Sequence, residues 1–478
     1  MNKPVRNLFY VSVIMFASLI LMLGYRQVIQ ASDLAENPQN TRKVFAQMRI
    51  ERGLILGSDK AEFASNRKEG DLYYRDYPTG DLAPQVVGYN NITYGQVGLE
   101  HSQNKYLTGT ADEVELVNLL DTVMGKEKKG ADLKLTLDPK VQRTALGELQ
   151  KLGKRGAVVV LDARTGAVVA MVSSPTYDPN QLEENWKVLN SDPGSPLLNR
   201  ATQGLYTPGS TFKMITAAAA LESGDYTSQS RFRDDKGRTD IFDGFTVNNY
   251  QKESFGEHTL EEAFSKSINT TFAQIGDKLG QGKLVEYMQK FGMYEKPPFE
   301  LPSDEMSISG RYENGELLPT GDPMGRTQVV SMAFGQEQLL VTPLQMALVA
   351  QSIANDGRMM KPYVIDSIAD YNGTIIKQAS PDVWRTPIRP ETARTEKEMM
   401  VKVVNEGTGR GAKTSKVQIA AKTGTAEVDG RGPNAWFVGF APAESPRYVI
   451  AVVVEDSDAG GGISSPVARE TLLAALGL

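Results

Sequence analysis

The sequence predicts an α+β fold: an antiparallel sheet with helices on both faces, preceded by a transmembrane helix and a small, mostly extended module. Three observations carry this. Apolar strand-like runs stand at both ends of the region from residue 136 to 478 and flank a mostly helical middle, so the two ends meet in one sheet. An uncharged apolar run opens the chain. Between that run and residue 135 lie short segments broken by Gly, Pro and Asn.

The opening run extends from Leu8 to Tyr25. At about 1.5 Å per residue it is just long enough to cross a bilayer core of roughly 30 Å. Lys3 and Arg6 precede it, which places the N-terminus in the cytoplasm and the remainder outside. A cleaved signal peptide is the alternative. The run is longer than an ordinary signal h-region, and Ile29–Ala31 is a poor cleavage site, so an uncleaved anchor over residues 1–31 is expected.

Residues 32–135 form the second unit. It begins as a polar stalk, continues through "LYYRDYPTG" and "PQVVGYNNITYGQVGLE", and ends in the charged turn "GKEKKGAD" at Gly125–Asp132.

In the third unit, "GAVVVLDARTGAVVAMVSS" (Gly156–Ser174) reads as a hairpin turning at Gly166. Its strands are apolar on both faces and are expected inside a covered sheet, away from an edge. Helical spacing follows in "TFKMITAAAALESG", ending at Gly224, and in "TLEEAFSKSINTTFAQIGDKLG", with a break near its centre. "TPLQMALVAQSIANDG" opens on the cap pair Thr342–Pro343. Strands return at Val417–Val428, Ala435–Pro442 and Arg447–Asp456, and "SPVARETLLAALG" is a closing helix.

Composition narrows the chemistry. The 478 residues carry a net charge of −6, which gives no basic footprint for nucleic acid. There is no cysteine, so disulfides, thiol nucleophiles and thiolate metal sites are excluded. With two histidines, His101 and His258, a His-rich metal site is excluded too.

Ser210 and Lys213 stand three apart at the mouth of an apolar helix, after Pro208–Gly209. Such a spacing puts both on one face. A helix N-terminus favours developing negative charge, and an apolar setting lowers a lysine's pKa so that it can take a serine's proton. The plain alternative is a capping serine beside a surface lysine. Ser267 and Asn269 lie at the break in the next helical stretch, where a hydroxyl can relay a proton and an amide can hold a peptide group. The alternative there is a pair of helix caps. Lys422, Thr423, Gly424 and Thr425 interrupt an apolar strand; the glycine marks close approach of another backbone. A solvated edge lysine is the alternative. Each pattern has a second copy in an unsuitable context: Ser65–Lys68, Ser102–Asn104 and Lys413–Ser415.

Ser-x-x-Lys, Ser-Asp-Asn and Lys-Thr-Gly are the motif set of β-lactamases and penicillin-binding proteins, and the three sites above follow that order. With "ERGLILGSD", "GLEHSQNKYLTG", "SSPTYDPN", "AFGQEQLLVTPLQMA" and "NAWFVGFAP", nearly the whole chain resembles the class B penicillin-binding proteins, membrane-anchored D,D-transpeptidases, and within them the short penicillin-binding protein A type. Ile268 stands where the motif set has Asp.

The resemblance implies a penicillin-binding/β-lactamase-like transpeptidase domain at 136–478 on a pedestal or dimerisation-like module at 32–135. It implies peptidoglycan stem peptides as substrates and β-lactam antibiotics as covalent inhibitors. It implies Ser210 as nucleophile, Lys213 as base, and Ser267 with Lys422 as the route to the leaving D-alanine. Asn269 would hold the substrate peptide, Thr423, Gly424 and Thr425 would form the carboxylate-binding strand, and the N–H groups of Ser210 and Thr425 the oxyanion hole. No metal or organic cofactor is implied. Glycan polymerisation would need a separate glycosyltransferase, and divisome or elongasome partners are compatible. A D,D-carboxypeptidase or β-lactamase is the nearest alternative; a non-catalytic β-lactam sensor or division scaffold is the alternative from another class.

Overall fold

The structure, a computed structural model, describes residues 2–25, 48–115, 128–428, 430–457 and 460–478. The weak cleavage site at Ile29–Ala31, the first part of the stalk and residues 125–127 of the charged turn lie outside the described residues.

Helix α1 (Lys3–Gly24) has a mean hydropathy of 2.1 over its most apolar window and no buried residue. Leu8, Phe16 and Leu21 are all more than half exposed. A helix apolar all round with no protein cover fits a lipid span rather than a core helix.

The N-terminal module contributes β1 (Ile55–Leu56), β2 (Glu62–Glu69), β3 (Leu72–Asp76) and β4 (Asp132–Leu135). The expected extended runs between β3 and β4 are partly helical: Pro84–Val87, Gly98–Ser102 and Asn104–Leu107 each form a short helix. Pro84 sits in the first turn, where no N–H is lost. The apolar residues there, including Val86, Leu99 and Leu107, are buried in compact turns rather than strands.

Helix α2 (Pro139–Leu152) is capped by Asp138, which accepts from Lys140 and Val141 N–H. The predicted hairpin is β5 (Gly156–Asp162) and β6 (Val168–Ser174), turning at Gly166 with φ +85°. Next come α3 (Lys213–Ser223), α4 (Leu260–Lys266), α5 (Asn269–Lys290), α6 (Pro343–Ala354), β7 (Ile365–Ala369), β8 (Ile375–Gln378) and α7 (Pro390–Asn405). The chain closes with β9 (Ala420–Val428), β10 (Arg431–Ala441), β11 (Tyr448–Val454) and α8 (Gly460–Leu476). The middle also carries small antiparallel pairings at 231–259 and 310–340, which helical spacing did not indicate.

The chain ends do meet in one sheet. Its order is β9-β10-β11-β5-β6, antiparallel throughout, with Gly424, Trp436, Val453 and Ala157 in successive register. Helices α2 and α8 cover one face and α6 the other, which leaves β5 and β11 buried on both sides.

One expectation needs correction: β6 is an edge strand. It tolerates that place because outward backbone groups at Val169 and Met171 are covered. Buried Gln142 of α2 donates to Met171 O (2.7 Å) and accepts from Met171 N–H (2.9 Å), while Asp138 N–H donates to Val169 O. A second sheet runs β8-β7-β4-β1-β2-β3, so residues 365–378 extend the sheet begun by the N-terminal module.

Candidate active site

A 3₁₀ turn over Gly209–Phe212 leads into α3, so Ser210 lies one turn before the α-helix that Lys213 starts. Residues three apart eclipse in a 3₁₀ turn, which keeps serine and lysine on one side. The approach is anchored: Trp436 Nε1–H donates to Thr207 O (3.0 Å), and Tyr206 exchanges backbone hydrogen bonds with Val341. Gly209 has φ +51°, and a Cβ there would stand 2.5 Å from Thr425 O. The nucleophile turn and the β9 edge therefore touch through backbone. Ser210 is partly exposed and Lys213 fully buried, which removes the surface-lysine reading.

Helix α4 opens with a Thr259–Glu262 capping box and ends at Ser267, a non-glycine residue at φ +61° and ψ +41°. The chain then enters α5 at Asn269. This break brings three acceptors to one amine. Lys213 Nζ donates to Ser267 O (2.8 Å) and Asn269 Oδ1 (2.7 Å) and lies 3.2 Å from Ser267 Oγ. Lys422 Nζ reaches the same Ser267 Oγ at 3.0 Å and Thr423 O at 2.9 Å.

Both amines are fully buried and, among the described residues, neither has a carboxylate within ion-pair distance. Burial, then the charge of Lys422, holds Lys213 well below the ordinary lysine range. Burial alone pulls Lys422 down to about 7. A neutral lysine has two N–H donors and one lone pair. A neutral Lys213 can serve Ser267 O and Asn269 Oδ1 with its two donors and keep its lone pair for a proton, with Ser267 Oγ 3.2 Å away.

Gly424 is where close approach is required: a Cβ would lie 2.9 Å from Pro208 O and 3.1 Å from Thr211 N. Thr425 is partly exposed at the β9 edge. Thr423 is only 4% exposed, and its hydroxyl lies 2.5 Å from Thr408 Oγ1. The structure thus gathers Ser210, Lys213, Ser267, Asn269 and Lys422–Thr425 in one place. Of the second copies, Ser65 and Lys68 sit on β2, where a separation of three puts them on opposite faces.

Three contributors escaped sequence reasoning. Asn249 Oδ1 accepts from Thr270 N–H (3.0 Å) and caps the start of α5, Trp436 anchors the serine turn, and Thr408 meets Thr423. Trp436 lies in the apolar run Asn434–Pro442, where nothing local marks its role, and Asn249 and Thr408 carry no local signal either.

A family model described as the penicillin binding protein transpeptidase domain matches residues 156–473. The chain belongs to the penicillin-binding protein transpeptidase family. A second model, the penicillin binding protein A dimerisation domain, matches residues 52–133. Among curated relatives of this family, the peptidoglycan D,D-transpeptidase PbpA of Mycolicibacterium smegmatis is 34% identical, covering 100% of this chain and 99% of that one. Its namesake in Mycobacterium tuberculosis is 32% identical with the same coverage. Among solved structures, the ceftriaxone acyl-enzyme of penicillin-binding protein A from M. tuberculosis has a TM-score of 0.83 at 30% identity, over 90% of this chain and all of that one. A D,D-transpeptidase domain from Eggerthella lenta has a TM-score of 0.79 at 36% identity, over 90% of this chain and 99% of that one.

Proposed function

We propose that this penicillin-binding protein is a membrane-anchored peptidoglycan D,D-transpeptidase that acylates Ser210 with a D-Ala-D-Ala stem peptide and passes the acyl group to an acceptor amine. The observation that carries the reading is Ser267 Oγ held between the buried amines of Lys213 and Lys422, beside a partly exposed serine.

Lys213, neutral, takes the proton of Ser210 as Oγ bonds to the penultimate D-Ala carbonyl carbon. The oxyanion so formed is met by the N–H groups of Ser210 and Thr425, whose backbones adjoin through Gly209. Losing one such donor typically costs on the order of 100–1,000-fold. As the C–N bond breaks, the proton travels from Lys213 through Ser267 Oγ, with Lys422 supporting it, to the leaving D-alanine nitrogen. The acceptor amine then attacks the ester carbonyl, the acyl C–O bond to Ser210 breaks, and the amine's proton returns to Ser210 Oγ through Lys213. Asn269 accepts from Lys213 through Oδ1, which leaves its Nδ2 for the substrate's peptide carbonyl. Thr423 and Thr425, flanking Gly424 on β9, donate to the terminal carboxylate.

Lys3 and Arg6 orient the anchor with its N-terminus in the cytoplasm, so residues 32–135 act as a pedestal and 136–478 as the transpeptidase domain on the outer side. A separate glycosyltransferase supplies the glycan, within a division or elongation assembly.

The test gives the full-length chain in detergent a stem pentapeptide donor and an amine acceptor. The expected products are free D-alanine and a cross-linked peptide in equal amounts. D-alanine with only a hydrolysed tetrapeptide would replace this reading by a D,D-carboxypeptidase.

A further inference from the structure

The segment after α7 reads Gly407-Thr408-Gly409 and turns back between two parts of the site. Thr408 N–H donates to Ser265 O (3.3 Å), two residues before Ser267, and a Cβ on Gly407 would stand 2.1 Å from that same oxygen. From this turn the Thr408 side chain reaches the strand carrying Lys422, and its Oγ1 lies 2.5 Å from Thr423 Oγ1. Thr408 is exposed and Thr423 almost wholly buried. No other hydrogen bond of either hydroxyl is found among the described residues.

Each hydroxyl has one proton and two acceptor lone pairs. In such a pair one partner donates to the other, and one proton is left over. A carboxylate accepts only, so a hydroxyl serves it only as a donor. If Thr423 gave its proton to Thr408, it could offer the carboxylate nothing but lone pairs. Donation from Thr408 to Thr423 settles the conflict: it fills an acceptor site on Thr423 and leaves the Thr423 proton for the ligand.

We propose that Thr408 is a positioning residue of the carboxylate subsite, donating to Thr423 Oγ1 and thereby committing the Thr423 hydroxyl as a donor to the substrate's terminal carboxylate. This rests on the acyl-transfer reading of Ser210 and adds to it a residue outside the three motifs. Because the turn also holds Ser265 O, the same residue fixes the spacing between the Ser267 corner and the β9 edge.

The test compares benzylpenicillin with its methyl ester, which keeps the lactam but lacks the anionic carboxylate. Second-order acylation constants are measured on the full-length chain in detergent for the parent, Thr408→Val, Thr408→Ser, Thr423→Val and the double valine variant. Thr408→Val is expected to lower the acid-to-ester rate ratio about fivefold, the effect of one lost neutral hydrogen bond that holds the Thr423 hydroxyl in its donating orientation. Thr408→Ser restores the ratio, and Thr408→Val adds nothing further in the Thr423→Val background. An unchanged ratio, equal losses for acid and ester, or additive losses in the double variant would overturn the role of Thr408. A folded parent that forms no adduct with either compound would instead overturn the acyl-transfer reading on which it rests.

Discussion

Lys422 Nζ donates to Ser267 Oγ across 3.0 Å, although 155 positions separate the two residues. The contact joins the β9 edge to the corner between α4 and α5, and Lys213 meets that corner from the other side. A hydroxyl between two amines that burial keeps short of protons is a proton relay by construction. Ser267→Ala removes the relay while leaving Lys213 bonded to the backbone oxygen of residue 267. Acylation by β-lactams is expected to slow by roughly 100–10,000-fold, the usual range for a lost proton-transfer group, with little change in melting temperature. Stopped-flow or quenched-mass kinetics check this, and near-parental rates would remove Ser267 from the mechanism.

The same lysines set a pH dependence. Acylation needs a lone pair on Lys213, and lowering the pH reloads the pair with protons. The rate is expected to fall as pH drops and the buried pair takes up protons, Lys422 doing so near 7. Stability follows the same sign. Between about 7 and the ordinary value of 10.5 the unfolded chain binds a proton at residue 422 that the native chain does not, so stability rises with pH across that window. Rate constants measured from pH 5.5 to 8.5 test the kinetic half; a flat profile contradicts it.

Gly424→Ala probes the close approach of strand and nucleophile turn. The new methyl would meet Pro208 O at 2.9 Å, and backbone must move to admit it. A displacement near 1 Å at the reacting atoms costs on the order of 100-fold in rate. The expected outcome is a folded protein that acylates about that much more slowly. Parental kinetics would mean that the contact has no bearing on the site.

Glu396 on α7 is fully buried, and neither carboxyl oxygen has a hydrogen-bond partner among the described residues. Burial raises its pKa well above the ordinary value of 4.5. The unfolded chain releases that proton from about pH 4.5 upward while the native chain retains it, so stability falls as pH rises. Glu396→Met replaces an unsatisfied acid by an apolar chain of similar size. It is expected to stabilise the protein by about 1–3 kcal/mol, with a larger gain at pH 8 than at pH 5. Thermal unfolding at both pH values checks the sign.

What the sequence disclosed was local. The capping pair Thr342–Pro343, the turn at Gly166, the break at Ser267 and the spacing of Ser210 and Lys213 each depend on neighbours within a few residues, and each stands where spacing placed it. The shared sheet of the chain ends was legible from apolar content alone. The rest was lost wherever a partner is distant. The addition of β7 and β8 to the N-terminal sheet, the covering of the β6 edge by Gln142 and the Thr408–Thr423 contact arise from pairings across tens to hundreds of residues, for which a strand or a threonine carries no local mark. The short helices at 84–107 read as strands in the sequence because buried apolar residues in short turns imitate strand alternation.

The central claim is that Ser210 is the acyl-accepting nucleophile. Its most direct test is the intact mass of the full-length chain in detergent after incubation with benzylpenicillin, followed over several hours and repeated with Ser210→Ala. The account predicts one adduct per chain, mapped to Ser210, persistent in the parent and absent from the variant. An adduct that survives in Ser210→Ala, or a folded parent that forms none, would contradict it.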